Sequence, residues 1–366
     1  MNKICFIVPS LDIGGIENYL LRFLRFLPNR EGVTVLVRND NKGDLCQEYE
    51  AVGVQLHYQR IGHLNPQKSI ALYNYFKDQK FHTVCDFNGN FSGITMLIAS
   101  FAGVANRITF YRRSSDAFEK NWFKILYNKL LNLLVYRYST KILSNSQHAI
   151  EYFFQYKNPA DSRFKIIRNG VDPEMFKIKE GKREARKFFN LPQDKFIVGH
   201  VGRFNGAKNH ITIFRVAQRL KLLDNEIIFL FAGKDTDGPS FKKQVKGYGI
   251  EDICICLGLQ TQMPLIYKTM DLFYYPSITE GQPNALIEAM ISGLPILASD
   301  IPPIKECYEK SYHNQLIDPN DVMSATQVIK ELYLKPSLLA ERIYKERATK
   351  KFELNSNFEL FQRELI

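Results

Sequence analysis

Glu280 and Glu288 stand eight positions apart, and Gly281, Pro283, Asn284, Ala285 and Leu286 between them give that spacing a chemistry. An apolar run from Asp271 to Pro276 enters a turn-rich break, and a helix-forming run then continues through Met290. The order is strand, loop, helix start. Asn284 stands where the helix would begin, so the first-turn amides, from about Ala285 on, face whatever fills the loop mouth. Such an end attracts anions, phosphate above all. One carboxylate precedes it and the other lies on its second turn, with small residues between leaving room. That suits a ligand with phosphates in its middle and hydroxyls at both ends, which is the form of a nucleotide-sugar. The plainer alternative is a strand-to-helix turn whose carboxylates serve as a cap partner and a solvated face.

A second pair of groups fits the same ligand. Phe196 to Phe204 reads as a strand closing on a glycine turn at Gly202, with Arg203 next to it and Lys208 five residues on, at the entry to the following helix. A fixed guanidinium and a mobile ammonium there would bracket a diphosphate and neutralise its charge as it leaves. Otherwise they are two unrelated surface cations. Gly14 and Gly15 follow a short β-rich run, Lys3 to Pro9, and open a helix with apolar residues at 16, 20, 23, 24 and 27. This is a second anion-tolerant turn, or a tight turn that uses glycine for its backbone angles. The dinucleotide fingerprint G-x-G-x-x-G is missing, which counts against an NAD-dependent enzyme. Arg112 and Arg113, at the end of the strand running from Ile108 to Ser114, either bind an anionic acceptor or phosphate or form a plain surface pair.

The elements that must position these groups follow from length and periodicity. A chain of 366 residues exceeds one ordinary core, so two domains are expected. Strand-like runs at 33–37, 52–57, 83–87, 108–114 and 141–146 alternate with helical patterns near 44–51, 66–80 and 94–102, and residues 164–172 close the first half on a turn. Further runs follow at 227–233, 253–258 and 294–299. Such alternation means parallel sheets covered by helices, with ligands beyond the carboxyl ends of the strands. No stretch has the roughly 18 apolar residues a membrane span needs, and the N-terminal residues from Met1 read as a first strand, not a signal peptide. The six cysteines include no C-x2-C pair; Cys254 and Cys256 share a strand face and read as buried thiols in a reducing, cytoplasmic setting. The scattered histidines and acids form no metal motif.

The net charge is +11, and residues 1–174 hold 22 basic against 15 acidic side chains. Nucleic acid and an anionic membrane surface both suit such an excess, and the membrane surface is the partner adopted. The helical run Phe118 to Thr140 sets Trp122, Phe123, Tyr127, Tyr136 and Tyr138 beside Lys120, Lys124, Lys129, Arg137 and Lys141. It is either a lipid-docking face, since aromatic residues beside lysines suit the headgroup layer, or an ordinary domain helix with solvated lysines.

The segment from Glu280 to Glu288, with Ser292-Gly293-Leu294-Pro295 downstream, resembles the E-x7-E motif of retaining glycosyltransferases of family 4. Arg203 and Lys208 match the family's G-R…K pattern, although Asn209 stands where a glycine is common. Gly14-Gly15 is similar to its G-G-x-E segment, and Asn169-Gly170-Val171-Asp172 to its interdomain junction. The resemblance spans nearly the whole chain, strongest over 196–306 and weak between 30 and 105. It implies an α/β GT-B fold, two Rossmann-like parallel-sheet domains facing each other across a cleft. Residues 1–170 would form the acceptor-binding domain, with a last helix at about 352–366 packing back on it, and 171–351 the donor-binding domain. It further implies that Glu280 contacts the donor sugar, that amides around Pro283 to Leu286 hold the diphosphate, and that Glu288 binds the ribose. Gly258 and Leu259 would lie at the base pocket, and Gly14, Gly15 and Gly202 near the donor. Where many members have a histidine, Tyr111, Arg112 and Arg113 stand here.

The expected reaction is transfer of a sugar from a nucleotide diphosphate sugar, UDP-sugar favoured, to a glycan or lipid-linked acceptor, with Arg203, Lys208 and Glu280 as the catalytic residues. Neither metal nor other cofactor is expected, and the setting is the cytoplasm or the inner face of the membrane. A nucleotide-sugar epimerase of the same fold and a catalytically idle assembly subunit are the alternatives; the first converts donor with no acceptor present, and the second binds nucleotide weakly or not at all.

Overall fold

The computed structural model describes residues 2–62, 65–113, 122–155, 157–158, 160–222 and 226–366. Met1, Ser114, Phe118 and Lys120, which figure in the readings above, lie outside the described residues. The chain divides into two compact units, 1–170 with 355–366, and 171–354.

In the first unit β1 (Ile4–Val8), α1 (Gly15–Phe26), β2 (Val33–Val37), α2 (Cys46–Ala51), β3 (Gln55–Tyr58), α3 (Pro66–Gln79) and β4 (Thr83–Asp86) alternate strictly. They are followed by α4 (Gly93–Phe101), β5 (Asn106–Tyr111), α5 (Trp122–Tyr138), β6 (Lys141–Ser144), α6 (Gln147–Phe154) and β7 (Phe164–Ile166). The seven strands are all parallel in the order β3-β2-β1-β4-β5-β6-β7. Central strands covered on both faces need apolar side chains throughout, and β2, Val33-Thr34-Val35-Leu36-Val37, is buried at every position.

The second unit runs α7 (Lys182–Phe188), β8 (Phe196–Val201), α8 (His210–Lys221), β9 (Ile227–Ala232), α9 (Pro239–Gly247), β10 (Cys254–Gly258), α10 (Met263–Thr269) and β11 (Leu272–Tyr275). It continues with α11 (Asn284–Ile291), β12 (Ile296–Ala298), α12 (Pro302–Lys305), α13 (Val322–Leu334) and α14 (Lys345–Lys351). Its five strands are parallel in the order β10-β9-β8-β11-β12. The last helix, α15 (Leu354–Glu364), belongs to the first unit. Phe358 and Phe361 bring their rings 4.5–6.3 Å from those of Phe6, Tyr19, Phe23, Phe26, Phe87 and Phe110. Asn106 and Lys141 donate to the Glu364 carbonyl and Thr83 to that of Leu365, tying the helix end to the sheet.

Both sheets contain a point where the strand order reverses, β1 beside β4 in the first and β8 beside β11 in the second. Loops leaving two such strands part to opposite faces and open a crevice between them. Lys208 follows β8 and Glu280 follows β11, so topology alone brings to one crevice residues 72 positions apart.

Cys254 and Cys256 lie on the edge strand β10, unpaired and half-buried instead of fully buried. An edge strand has one covered neighbour fewer, and burial still pushes both thiols up, Cys256 to about 11.

Candidate active site

The β8–α8 loop is built on glycines and asparagines. Gly202 N donates to Ala232 O at 2.9 Å, and Gly233 N to Gly258 O at 2.7 Å, linking the ends of β8, β9 and β10. Gly233 has φ +144, and a Cβ there would sit 2.3 Å from Gly202 O, so only glycine lets these strand ends close. The side chain of Asn205 accepts from Lys208 N, and Asn209, in the left-handed region, anchors the loop through Pro319 O at 2.8 Å. Asparagine tolerates that region, so the departure from the family's glycine costs little. Ile278 N bonds Ala207 O at 2.9 Å and joins this loop to the one after β11.

Lys208 is thereby aimed at the β11 loop. Its Nζ donates to Glu280 Oε1 at 2.5 Å and to Tyr275 Oη at 2.6 Å, and the Tyr275 hydroxyl donates to the same Glu280 oxygen at 2.8 Å. The side chains of Lys208 and Glu280 are 18% and 11% exposed, so this three-membered ring is largely withdrawn from water. Arg203 is exposed and makes no hydrogen bond or ion pair among the described residues.

The helix starts at Asn284, as the sequence suggested. Pro283 is the N-cap of α11, Asn284 its first residue, and no side chain caps it. By helix geometry the amides of Ala285 and Leu286 have no acceptor within the helix. One turn on, Glu288 Oε2 accepts from Tyr267 Oη at 2.9 Å, and that hydroxyl also lies 3.1 Å from Ala285 O. Gly281 is on the loop between. Gly258 has φ +67, with the Asp237 carboxylate where a Cβ would be, and Leu259 is 61% exposed at the end of β10.

Beneath Lys208 lie His200 and His210, 1% and 2% exposed, with ring centroids 4.8 Å apart. Burial first, then His210 and Lys208 nearby, drives His200 well below the ordinary imidazole range; burial and Lys208 lower His210 to about 4. Both are therefore neutral near pH 7. His200 Nδ1 lies 3.0 Å from Tyr274 O, which can only accept, so the proton sits on Nδ1. Its Nε2 has no partner among the described residues.

Gly14, Gly15, Arg112 and Arg113 belong to the first unit. Neither glycine has a positive φ, and a Cβ on Gly14 would meet Glu17 Oε2 at 2.3 Å. A side chain at Gly14 would have to displace the Glu17 carboxylate, whereas one at Gly15 would meet nothing within 4 Å. Burial raises the Glu17 carboxyl, which accepts from the amides of Glu17 and Ile16. Arg112 and Arg113 are not a plain surface pair. The Arg112 guanidinium lies 3.7 Å from the Tyr19 ring centre with Nη1 buried and without a partner among the described residues, and burial lowers it to about 10. Arg113 donates to Asn90 Oδ1 at 2.6 Å and lies over Phe91. The sequence reading missed Tyr267, Tyr275 and the histidine pair. Tyr275 carried one signal, its place as the last residue of a strand beside the switch point.

Two Rossmann-like parallel-sheet domains, one with a lysine–glutamate pair at its switch point before a helix start, make an α/β architecture of GT-B type. Residues 13–175 match the family model described as Glycosyltransferase Family 4, and 181–351 match that described as Glycosyl transferases group 1. The two matches together take in nearly the whole chain, and it belongs to this glycosyltransferase family. The chain is 28% identical to the capsular polysaccharide biosynthesis glycosyltransferase CapH of Staphylococcus aureus, over 92% of this chain and 100% of that one. It is 25% identical to the Escherichia coli UDP-Gal:alpha-D-GlcNAc-diphosphoundecaprenol alpha-1,3-galactosyltransferase, over 85% and 83% of the two chains. The crystal structure of Anabaena HepE in complex with UDP-glucose shares the fold with TM-score 0.82 at 17% identity, covering 100% of this chain and 99% of that one.

Proposed function

We propose that this chain transfers a sugar, with retention of anomeric configuration, from a nucleotide diphosphate sugar to a glycan or lipid-linked acceptor in bacterial surface polysaccharide synthesis. The observation that carries this reading is the placement of Lys208 and Glu280 together at the β8/β11 switch point, before the α11 N-terminus. Cleavage of the sugar–phosphate bond leaves negative charge on the diphosphate. Lys208, Arg203 and the first-turn amides of α11 stabilise it, Glu280 holds sugar hydroxyls and Glu288 the ribose. These groups supply the charge that a metal would otherwise bring, so transfer should persist in EDTA. A leaving diphosphate that itself assists the acceptor needs no side-chain nucleophile, in keeping with retention. UDP is the favoured carrier, since a neighbour of the same fold was solved with UDP-glucose and a relative is named for UDP-Gal. A thermal-shift panel of UDP- and GDP-sugars tests this. The true donor at 100 times its dissociation constant stabilises by roughly 2.7 kcal/mol, and a panel with no shift sinks the reading.

The same proposal places the enzyme at an anionic bilayer, where a lipid-linked acceptor would be found. No helix among the described residues is long and apolar enough to cross a membrane. Helix α5 instead exposes Trp122, Phe123, Ile125, Leu126, Leu130 and Leu133, with exposed Lys124, Lys129 and Arg137 and not one acidic residue. Apolar side chains among cations suit the headgroup boundary, each cation contributing about 1 kcal/mol near an anionic surface. Lys141 takes no part, being held by Glu364. Changing Lys124, Lys129 and Arg137 together to Glu should abolish sedimentation with phosphatidylglycerol-containing liposomes. Undiminished binding would reduce α5 to an ordinary domain helix.

A further inference from the structure

We infer that the hollow between α5 and α6 seats the hydrocarbon chain of an anionic lipid phosphate, the carrier on which the sugar acceptor is presented. This rests on the lipid-linked acceptor of the proposed function and adds the place where its chain is held. Helix α5 has 17 residues and α6 only 8. The flank of α5 formed by Ile125, Lys129 and Leu133, successive positions one turn apart, therefore outruns its neighbour. Ile125 and Leu133 remain 39% and 52% exposed. A cavity of about 550 Å³ opens beside them, with Tyr152, Phe153 and Phe154 on its other side.

The walls of this hollow are anchored. Phe153 and Phe154 are buried, with ring centroids 4.9 and 5.4 Å from that of Tyr111 on β5. The Tyr111 hydroxyl donates to Asn132 Oδ1 at 2.7 Å and Asn90 Nδ2 to Asn128 Oδ1 at 3.0 Å, so both lining asparagines are tied to β5 and to the segment after β4. Among the described lining residues only Lys129 and Lys157 are charged, and α5 has no acidic residue. An apolar hollow of this size with a few polar groups is the usual form of a small-ligand site, and two cations without an acid select an anionic end. A bilayer surface alone would need only the convex outer face of α5. A hollow beside that face suits one chain drawn out of the bilayer, as a carrier's must be when its head is brought to a transfer site.

Calorimetry with prenyl phosphates in solution, with no membrane or donor present, tests this. The full chain should bind farnesyl phosphate, and geranyl phosphate at least ~10-fold more weakly, since one isoprene unit fewer is buried. Farnesol, which lacks the anion, and inorganic phosphate, which lacks the chain, should each bind at least ~10-fold more weakly as well. Lys157→Glu, outside the cations assigned to bilayer docking, and Ile125→Asn/Leu133→Asn, at exposed positions of the wall, should each weaken farnesyl phosphate by about tenfold without lowering the melting temperature. Dihexanoyl-phosphatidylglycerol, a monomeric phospholipid with two chains, should not displace it. Farnesyl phosphate that fails to bind, binds the variants and the wild type alike, binds no better than farnesol or phosphate, or yields to the phospholipid overturns the assignment. Any of these leaves the proposed function standing where a nucleotide-sugar still raises the melting temperature and liposomes still sediment the enzyme. A donor panel with no shift overturns that function and this inference with it.

Discussion

Replacing Lys208 or Arg203 with Ala is expected to lower kcat by at least ~100-fold, the usual loss when a donor that stabilises developing charge is removed. On the proposed function the two cations would reach the diphosphate from different states. Lys208 is held by Glu280 and Tyr275 and must be exchanged onto the ligand, whereas Arg203 is exposed and makes no hydrogen bond or ion pair among the described residues. Lys208→Ala also leaves Glu280 without its cation, so a drop in rate alone would not separate lost catalysis from a disturbed carboxylate. The double variant Lys208→Ala/Glu280→Gln separates them, because it removes the carboxylate's charge and still lacks the ammonium. Steady-state transfer at saturating donor should stay low in the double variant if the ammonium acts on the leaving group. The loop itself should survive these changes, since Asn205 holds the Lys208 amide and Asn209 bonds Pro319 O, and neither contact uses the lysine side chain. Near-normal turnover in both single variants would remove the mechanism.

The sequence made the strands legible because a strand covered on both faces has to be apolar throughout, as at Val33–Val37 and Leu272–Tyr275. Their order was not, since pairing β1 with β4 or β8 with β11 joins segments that no local period connects. The site divides in the same way. Arg203, Lys208 and Glu280 are charged residues in the loops that follow β8 and β11, and Glu288 lies on the helix after them, so they stood out by their spacing. Tyr275 and Tyr267 did not, because an aromatic ring in an apolar run looks the same whether its hydroxyl is idle or bonded to a carboxylate such as Glu280 or Glu288. The burial of Arg112 was not legible, because the ring that covers it, Tyr19, comes from α1, far away along the chain.

Asp271→Ala is expected to destabilise the protein by ~3–5 kcal/mol, as breaking a buried ion pair from one side typically does. Asp271 Oδ2 accepts from Arg186 Nη2 at 2.6 Å and from Ile197 N at 2.7 Å, and Oδ1 pairs with Lys182 at 2.7 Å. Arg186 is 4% exposed, and its remaining donors are fixed on Thr269 O, Gln193 O and Lys195 O. The guanidinium therefore cannot turn to water when its carboxylate is removed. Lys182 is 46% exposed, so Lys182→Ala should cost no more than ~1 kcal/mol. Replacing both members of the buried pair, Arg186→Met with Asp271→Leu, should cost less than Asp271→Ala alone, because no charge is stranded. A fall in Tm on the order of 10 °C for Asp271→Ala is the expected reading, with UDP affinity at low temperature unchanged, because Asp271 precedes β11 while Tyr275 and Glu280 follow from its other end. A melting temperature within ~3 °C of wild type would show that the pair contributes little, and the β8–β11 junction would then owe its rigidity to the packing of Met270, Phe273 and Val198.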